Sequence, residues 1–150
     1  MKTLLLLVGL ALSSIASAQW NNKVVDNGFD DVYHIAWTND EDGSYLKLEK
    51  LADGAIIFYI SGGYLCEEKP AVDLVFTVKG LSKKYAVVGA TSKDSKTVFM
   101  VYNILDHEML NDFIDCSNLK LRITDPTCGN STFSFDMTGS KSALNFVINQ

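Results

Sequence analysis

The segment from Thr38 to Glu49 spaces its acidic residues much as a calcium-binding loop does. Counted along such a loop, Asp40 and Asp42 fall at positions 3 and 5, and Glu49 falls at position 12. Position 1 is Thr38, where the loop requires Asp, and the flanking residues alternate as strands do. An extended strand would carry Glu49 roughly 16 Å beyond the turn, too far to fold back onto a metal. We therefore interpret the segment as a hairpin turn, and expect no metal site and no cofactor.

Two histidines and one cysteine are the candidates for acid–base or nucleophilic chemistry. His34 follows Asp30 and Asp31, but a base with a neighbouring acid supplies only part of a catalytic set. His107 stands in the first turn of a predicted helix, where we expect it to face solvent. Cys66 could act as a nucleophile only beside a histidine and a third group, and no pattern in the sequence indicates that. We therefore predict that the protein is not an enzyme, and we name no catalytic residue.

The chain has three cysteines, Cys66, Cys116 and Cys128, so one thiol is left over if a disulfide forms. No Cys-x-x-Cys motif occurs, and no Cys/His spacing fits a zinc site. Residues 119–125 have the pattern of a strand, and seven extended residues span about 23 Å. A disulfide needs Cα atoms within about 7 Å, which disfavours a bridge between Cys116 and Cys128. We predict a Cys66–Cys128 disulfide and a free Cys116.

Aromatic residues recur in the predicted strands, and most of them are expected in the core. Because alternation buries only one face of a strand, some of these side chains must point towards solvent. An exposed aromatic stripe would be a binding surface for a peptide or a sugar. The candidates for such a stripe are Trp37, Tyr45, Tyr59 and Tyr64.

The first 18 residues have the pattern of an export signal. Lys2 precedes an apolar run from Leu4 to Leu12, and Ala16-Ser17-Ala18 has the small residues of a cleavage site. We predict a signal peptide over residues 1–18 and a single β-rich domain over residues 19–150. The expected location is outside the cytoplasm, either periplasmic or extracellular.

The charge of the chain excludes some classes of partner. The formal charge of the whole chain is −5, and loss of Lys2 with the signal peptide takes it to −6. An acidic protein lacks the basic footprint that nucleic acid requires, and we interpret the only adjacent basic pair, Lys83-Lys84, as part of a turn. No later stretch approaches the ~20 apolar residues of a membrane span, so we expect no stable membrane insertion.

The elements that must position these residues are mostly strands, because alternating or apolar runs recur about every ten residues. The predicted strands cover residues 31–38, 45–51, 55–61, 71–79, 85–91, 97–102, 119–125 and 131–137. In the first of them, Tyr33, Ile35 and Trp37 are expected to form the buried face. The near-continuous apolar run Ala55–Ser61 predicts a central strand that is covered on both faces.

Two segments have the periodicity of helices. In residues 106–115, Met109 and Phe113 belong to one apolar helical face, and Asp106 is a good N-cap. A last helix starts at Gly139-Ser140, with Ala143, Leu144, Val147 and Ile148 on one face. These elements predict an α+β fold that is mainly an antiparallel β-sheet or sandwich, with two helices in the C-terminal third.

The second half of the chain has an ordered pattern of elements between Ile56 and Val147. Its parts are Ser92-Lys93-Asp94 before Thr97-Val98-Phe99, the helix over 106–115, the strand Leu119–Ile123, and Phe133 to Ser140 leading to Ala143-Leu144. This pattern resembles small exported bacterial proteins of the VasI-like type, which are associated with type VI secretion. The resemblance implies a non-catalytic periplasmic accessory domain, and it implies no functional residues.

Three hypotheses for function follow. The first is an exported, non-enzymatic binding or accessory protein of the cell envelope or exterior, whose partner is another envelope or extracellular protein. The second is a small-molecule or lipid carrier with a cavity in a curved sheet. The third is a small hydrolase built around His34 or Cys66. An aromatic patch would favour the first, a closed apolar cavity the second, and a cleft with His34 beside an acid the third.

Overall fold

The computed structural model describes residues 20–26, 28, 32–63, 65–92, 95–102 and 107–149, with the backbone alone for 92, 95–102 and 107. These residues form ten strands and two helices. In chain order they are β1 (Asn21–Asp26), β2 (Val32–Asn39), β3 (Tyr45–Lys50), β4 (Ile56–Ser61), β5 (Ala71–Val78), β6 (Leu81–Val88), β7 (Ala90–Ser92), β8 (Ser95–Tyr102), α1 (His107–Asp115), β9 (Cys116–Asp125), β10 (Gly129–Asp136) and α2 (Ser140–Ile148).

The strands form two antiparallel sheets. The six-stranded sheet has the order β1-β2-β3-β4-β8-β7, and the four-stranded sheet has the order β10-β9-β5-β6. A single buried residue, Gly89, separates β6 from β7, so one stretch of chain passes from one sheet to the other. The predicted α+β class, mainly antiparallel and with two helices in the C-terminal third, is confirmed.

One hydrophobic core lies between the inner faces of the two sheets and the two helices. Phe58 from β4, Phe76 from β5, Phe113 from α1 and Phe135 from β10 are fully buried. The ring of Phe113 lies 5.0 Å from that of Phe58, so α1 touches the six-stranded sheet through this aromatic pair. The helix is therefore held by the buried apolar face that its periodicity predicts.

The last helix, α2, packs against β2 and β3. Its buried residues include Ala143, Leu144 and Val147, as the periodicity predicts. Two side chains of the sheet reach the last turn of the helix. The Nδ1 atom of His34 lies 2.9 Å from the carbonyl oxygen of Phe146, and Lys50 donates to the carbonyl oxygen of Ile148 at 2.9 Å. These contacts occupy carbonyl groups that have no partner within the helix.

The predicted buried face of β2 is wrong. Ala36 and Thr38 are 0% and 1% exposed, so the face that they share with His34 points into the core. The small side chain of Ala36 leaves room for α2 to pack on this strand, and the ring of His34 stacks on that of Phe146 with 4.6 Å between centroids. The other face of β2, which carries Trp37, therefore points away from the core.

The interpretation of Lys83-Lys84 as part of a turn is also wrong. The turn between β5 and β6 has two residues, Lys79 and Gly80, with φ of 49° and 80°. Two successive positive φ angles are the mark of a type I′ hairpin turn, which matches the twist of the paired strands. The strand β6 consequently begins at Leu81 and includes both lysines. Because residues 82–84 are all polar, apolar alternation does not indicate this first half of the strand.

Other boundaries differ less. The chain passes from α1 at Asp115 straight into β9 at Cys116, three residues before the predicted start of that strand. The polar, exposed strand β1 has no apolar alternation, so the sequence pattern does not predict it. The predicted signal peptide, Tyr64 and the predicted N-cap Asp106 lie outside the described residues. Within the described ranges, no helix combines the length and the apolar character needed to cross a membrane.

Candidate functional site

The outer face of the six-stranded sheet carries a row of two aromatic side chains with a lysine between them. The register places Trp37 of β2 opposite Lys47 of β3, and Lys47 opposite Tyr59 of β4. Neighbouring strands lie about 4.8 Å apart, so the Cα atoms of Trp37 and Tyr59 are separated by roughly 10 Å. The two rings therefore flank the stem of one lysine on a continuous strip of sheet.

Tyr45 extends this row along β3, because it lies two residues before Lys47 and so points to the same side. We call Trp37, Tyr45, Tyr59 and Lys47 the aromatic face; all four side chains are half-buried. Next to them lies Ile57, which is 2% exposed although it does not belong to the core cluster. The outer side of this sheet is thus closely packed around its centre.

The charge on the aromatic face is held in place. The Nζ atom of Lys47 lies 4.0 Å from the centroid of the Tyr59 ring and 2.9 Å from Oε2 of Glu49. A cation over an aromatic ring is attracted by the negative face of the ring, and the ion pair neutralises the remaining charge. A partner that covered this face would therefore meet ordered rings and one fixed, paired lysine.

Three of the four predicted binding aromatics come together. Trp37, Tyr45 and Tyr59 share the outer face, whereas Tyr64 lies outside the described residues. The sequence shows which residues alternate within β2, β3 and β4. It does not show the register between these strands, and the register is what places Trp37, Lys47 and Tyr59 side by side. Their role in binding stays a prediction.

Two of the residues considered for catalysis, His34 and Cys66, are engaged in structural contacts, whereas the side chain of His107 lies outside the described part of the structure. Cys66 is joined to Cys128, with 5.6 Å between their Cα atoms, which is the predicted pairing. A sulfur in a disulfide is not a thiolate nucleophile. The remaining cysteine, Cys116, is buried with a free thiol, and burial raises its pKa to about 12. His34, as described, faces α2.

The acidic segment between β2 and β3 is a hairpin turn. Oδ1 of Asp40 accepts hydrogen bonds from the backbone N–H groups of Asp42 and Ser44, at 3.1 and 2.7 Å. The carboxylate that a calcium loop would offer to the metal is here used to close its own turn. Within the part of the chain that the structure describes, no three His, Cys, Asp or Glu side chains are grouped as metal ligands.

Asp125, at the end of β9, is a buried carboxylate that sequence reasoning missed. Its Oδ2 atom accepts from the backbone N–H groups of Cys66 and Glu67, at 2.7 and 3.0 Å. Its Oδ1 atom accepts from those of Thr127 and Cys128, both at 2.9 Å. These four hydrogen bonds, led by that from Glu67, outweigh burial and lower the pKa of Asp125 to about 2.

A second buried carboxylate ties α1 to the edge strand β6. Asp112 accepts from Nζ of Lys83 at 2.7 Å and from the hydroxyl of Tyr85 at 2.5 Å. Burial opposes ionisation, but the two hydrogen bonds and the charge of Lys83 together lower the pKa of Asp112. The same contact raises the pKa of Lys83. Both carboxylates thus have structural partners.

The fold of the chain is similar to that of a solved protein. The crystal structure of invasion associated protein B from Bartonella henselae superposes with a TM-score of 0.61, covering 89% of this chain and 94% of that one, at 15% sequence identity. At this identity the likeness shows a shared fold. No family model matches the chain, and no curated protein matches it. The VasI-like resemblance stays a prediction.

Proposed function

We propose that the protein is an exported, non-enzymatic binding protein of the cell envelope or exterior, and that its aromatic face binds another envelope or extracellular protein. The observation that carries this proposal is the side-by-side placement of Trp37, Lys47 and Tyr59 on the outer face of the six-stranded sheet. These side chains lie outside the core cluster. Core packing alone therefore does not account for two aromatic rings in this row.

The chemistry of the face suits a protein partner. Trp and Tyr are enriched among the residues that dominate the energy of protein interfaces. Lys47 is held by Tyr59 and Glu49 before any partner arrives, so little side-chain freedom is lost on binding. The paired charge also lowers the cost of removing water from the face.

Two further observations support an exported accessory role. Disulfides persist in oxidising compartments, and Cys66 is joined to Cys128. The solved protein of similar fold is named an invasion associated protein, and a role in invasion is consistent with a location outside the cytoplasm for that protein. The VasI-like resemblance implies a periplasmic accessory domain as well.

A site-specific photo-cross-linker tests the proposal. It is placed at Asn39, an exposed residue of β2 on the aromatic side, and in a matched variant at Thr132, an exposed residue of β10 on the other sheet. In the native envelope fraction, we expect a discrete protein adduct from Asn39 and none of that mass from Thr132. The adduct should be lost in a Trp37→Ala/Tyr59→Ala variant.

The purified partner then provides the direct measurement. In a Trp20→Phe background, Trp37 is the sole tryptophan, and its emission should shift to shorter wavelength on titration with that partner. Equal adducts from both positions, or an adduct that survives the double alanine variant, would contradict the proposal. A shift of Trp37 emission by neutral oligosaccharides, with none by the cross-linked protein, would assign the face to sugars instead.

A further inference from the structure

The outer face of the four-stranded sheet holds an open cleft of about 500 Å³. Residues of all four strands line it, and the side chains that matter here are Asp73 and Val75 of β5, Lys84 of β6, Lys120 and Arg122 of β9, and Thr132 of β10. We call this set the basic cleft. It points away from the core on the other sheet from the aromatic face, so it is a separate surface.

The register arranges these side chains in two rows. In the first row, Val75 is paired with Lys84 on one side and with Lys120 on the other. The Cα atoms of the two lysines are therefore two strand spacings apart, roughly 10 Å. In the second row, Asp73 is paired with Arg122, which is paired in turn with Thr132.

The charge of the basic cleft is opposite to that of the whole protein. Its lining has three cations and one carboxylate, a formal charge of +2, whereas the full chain has −5. Lys84, Lys120 and Arg122 are exposed, and none forms an ion pair with a described residue. The adjacent Lys83 points to the opposite side of β6 and is held by Asp112. The three cations of the cleft are accordingly available to a ligand.

We propose that the basic cleft binds a short stretch of an anionic polysaccharide. Two acidic groups of the saccharide pair with Lys84 and Lys120, and the planar guanidinium of Arg122 holds a carboxylate or a sulfate through two hydrogen bonds. The carboxylate of Asp73 and the hydroxyl oxygen of Thr132 accept hydrogen bonds from hydroxyl groups of the sugar. Half-buried Val75 lies under the apolar face of a sugar ring between the two lysines.

The same geometry disfavours other anions. A single phosphate fills only a small part of a cleft of about 500 Å³ and leaves most of its lining without a partner, and an acidic ligand without a hydrogen-bond donor would be repelled by Asp73. The floor of the cleft is β5 and β9, whose backbone groups are already paired within the sheet, so a peptide strand finds no backbone partners there. The one aromatic residue of the lining, Tyr85, directs its hydroxyl to Asp112, which leaves no ring for stacking with bases.

Isothermal titration with defined oligomers tests this inference on the purified chain with its disulfide intact. The probes are hexasaccharides of polygalacturonate and of heparin, with maltohexaose, hexaglutamate and inorganic phosphate as comparisons. We expect both acidic hexasaccharides to bind, more weakly as salt is added, and the comparisons to bind at least about tenfold more weakly. Lys120→Gln and Arg122→Gln should each lower the affinity for the acidic hexasaccharides by about tenfold.

Matched variants separate the cleft from charge in general. Lys141→Gln removes an exposed cation from α2 and should leave the affinity unchanged, as should Trp37→Ala on the aromatic face. Because Lys120 and Arg122 are exposed, their variants should melt within about 2 °C of the parent, which shows that they are folded. Loss of binding in Trp37→Ala with retention in Lys120→Gln would assign the saccharide to the other surface.

Asp73→Ala should change the affinities for the acidic hexasaccharides and for hexaglutamate in opposite directions. Loss of the hydroxyl acceptor should weaken binding of the acidic hexasaccharides, whereas loss of the negative charge should strengthen binding of hexaglutamate. If both ligands bind the variant more tightly, the cleft recognises charge alone and the saccharide assignment is wrong. Absence of binding by either acidic hexasaccharide, or equally tight binding of hexaglutamate to the parent protein, would also overturn the inference.

Discussion

Oδ2 of Asp125 accepts a hydrogen bond from the backbone N–H of Cys66 at 2.7 Å, although 59 residues separate the two in the chain. The other oxygen of the same carboxylate accepts from the N–H of Cys128, the disulfide partner of Cys66. One buried carboxylate therefore holds the backbone at both ends of the disulfide. The cross-link and the hydrogen bonds fasten the segment after β4 to the turn after β9.

The first prediction concerns Asp125→Asn. The amide nitrogen of Asn cannot accept the hydrogen bonds that one carboxylate oxygen receives, so two partly buried N–H groups lose their partner. We expect the melting temperature at pH 7 to fall by at least about 5 °C. The exposed Asp73→Asn is the matched control and should shift it by no more than about 2 °C.

The difference in melting temperature between the parent and Asp125→Asn should depend on pH. The folded protein lowers the pKa of Asp125 from 3.8 to about 2, so its carboxylate stabilises the fold fully above about pH 5. That contribution is lost as the pH falls towards 2, where the group becomes protonated in the folded state too. Melting curves of parent and Asp125→Asn should converge between pH 4 and pH 2, and a gap of constant size across this window would contradict the assignment.

Sequence reasoning located the inner faces of β9 and β10 because their outer residues are polar or charged. Leu119, Leu121 and Ile123 alternate with Lys120 and Arg122, which leaves one choice of buried face. Both faces of β2 carry apolar residues, and the set with the larger side chains predicts the wrong buried face. The choice actually depends on α2, which packs against the smaller set from more than a hundred residues later in the chain.

The candidate sites show the same division between local and distant information. Aromatic residues at alternate positions could be found in the sequence, but the row of Trp37, Lys47 and Tyr59 depends on the register of three strands. The basic cleft draws its cations from β6 and β9, and the adjacent pair Lys83-Lys84 contributes only Lys84, because Lys83 is held by Asp112 on the other side of the sheet. For Asp125, the hydrogen bonds to Thr127 and Cys128 are local, whereas the one to Cys66 depends on the fold.

The second prediction concerns the disulfide. Cys66 and Cys128 lie 62 residues apart, and closing a loop of this length removes unfolded-state entropy worth about 4 kcal/mol, an upper figure for the stabilisation. Cys66→Ser should therefore lower the urea midpoint of the oxidised protein clearly, and reduction should have little further effect on the variant. In the parent, reduction should reproduce most of the loss.

Cys116→Ser provides the comparison for this measurement. Cys116 is buried and unpaired, so its replacement should act through packing alone and should leave the effect of reduction intact. Peptide mapping without reduction should yield a Cys66–Cys128 peptide. Recovery of a peptide that bridges Cys116 and Cys128 would show that β9 does not extend between them.

The third prediction concerns the contact between α1 and β6. Tyr85→Phe removes the hydroxyl that donates to the buried carboxylate of Asp112, and hydrogen bonds to charged groups contribute about 1.5–3 kcal/mol. We expect a loss of unfolding free energy in that range by urea denaturation. Tyr33→Phe on the outer face of β2 should cost less than about 0.5 kcal/mol. Equal losses in the two variants would mean that Asp112 does not depend on Tyr85.

The fourth prediction concerns the turn between β5 and β6. Lys79 has a φ of 49°, which costs energy for a residue with a side chain, and the following Gly80 also has a positive φ. Asn is favoured before Gly in a type I′ turn because it tolerates this conformation. Lys79→Asn should raise the unfolding free energy by about 0.5–1 kcal/mol, whereas the β-branched Lys79→Val should lower it. Lys69→Asn, at an exposed bend, is the control for the loss of a surface charge, and it should change the unfolding free energy by less than about 0.5 kcal/mol. If Lys79→Val proved as stable as Lys79→Asn, the turn would not have the two positive φ angles described here, and the start of β6 at Leu81 would have to be redrawn.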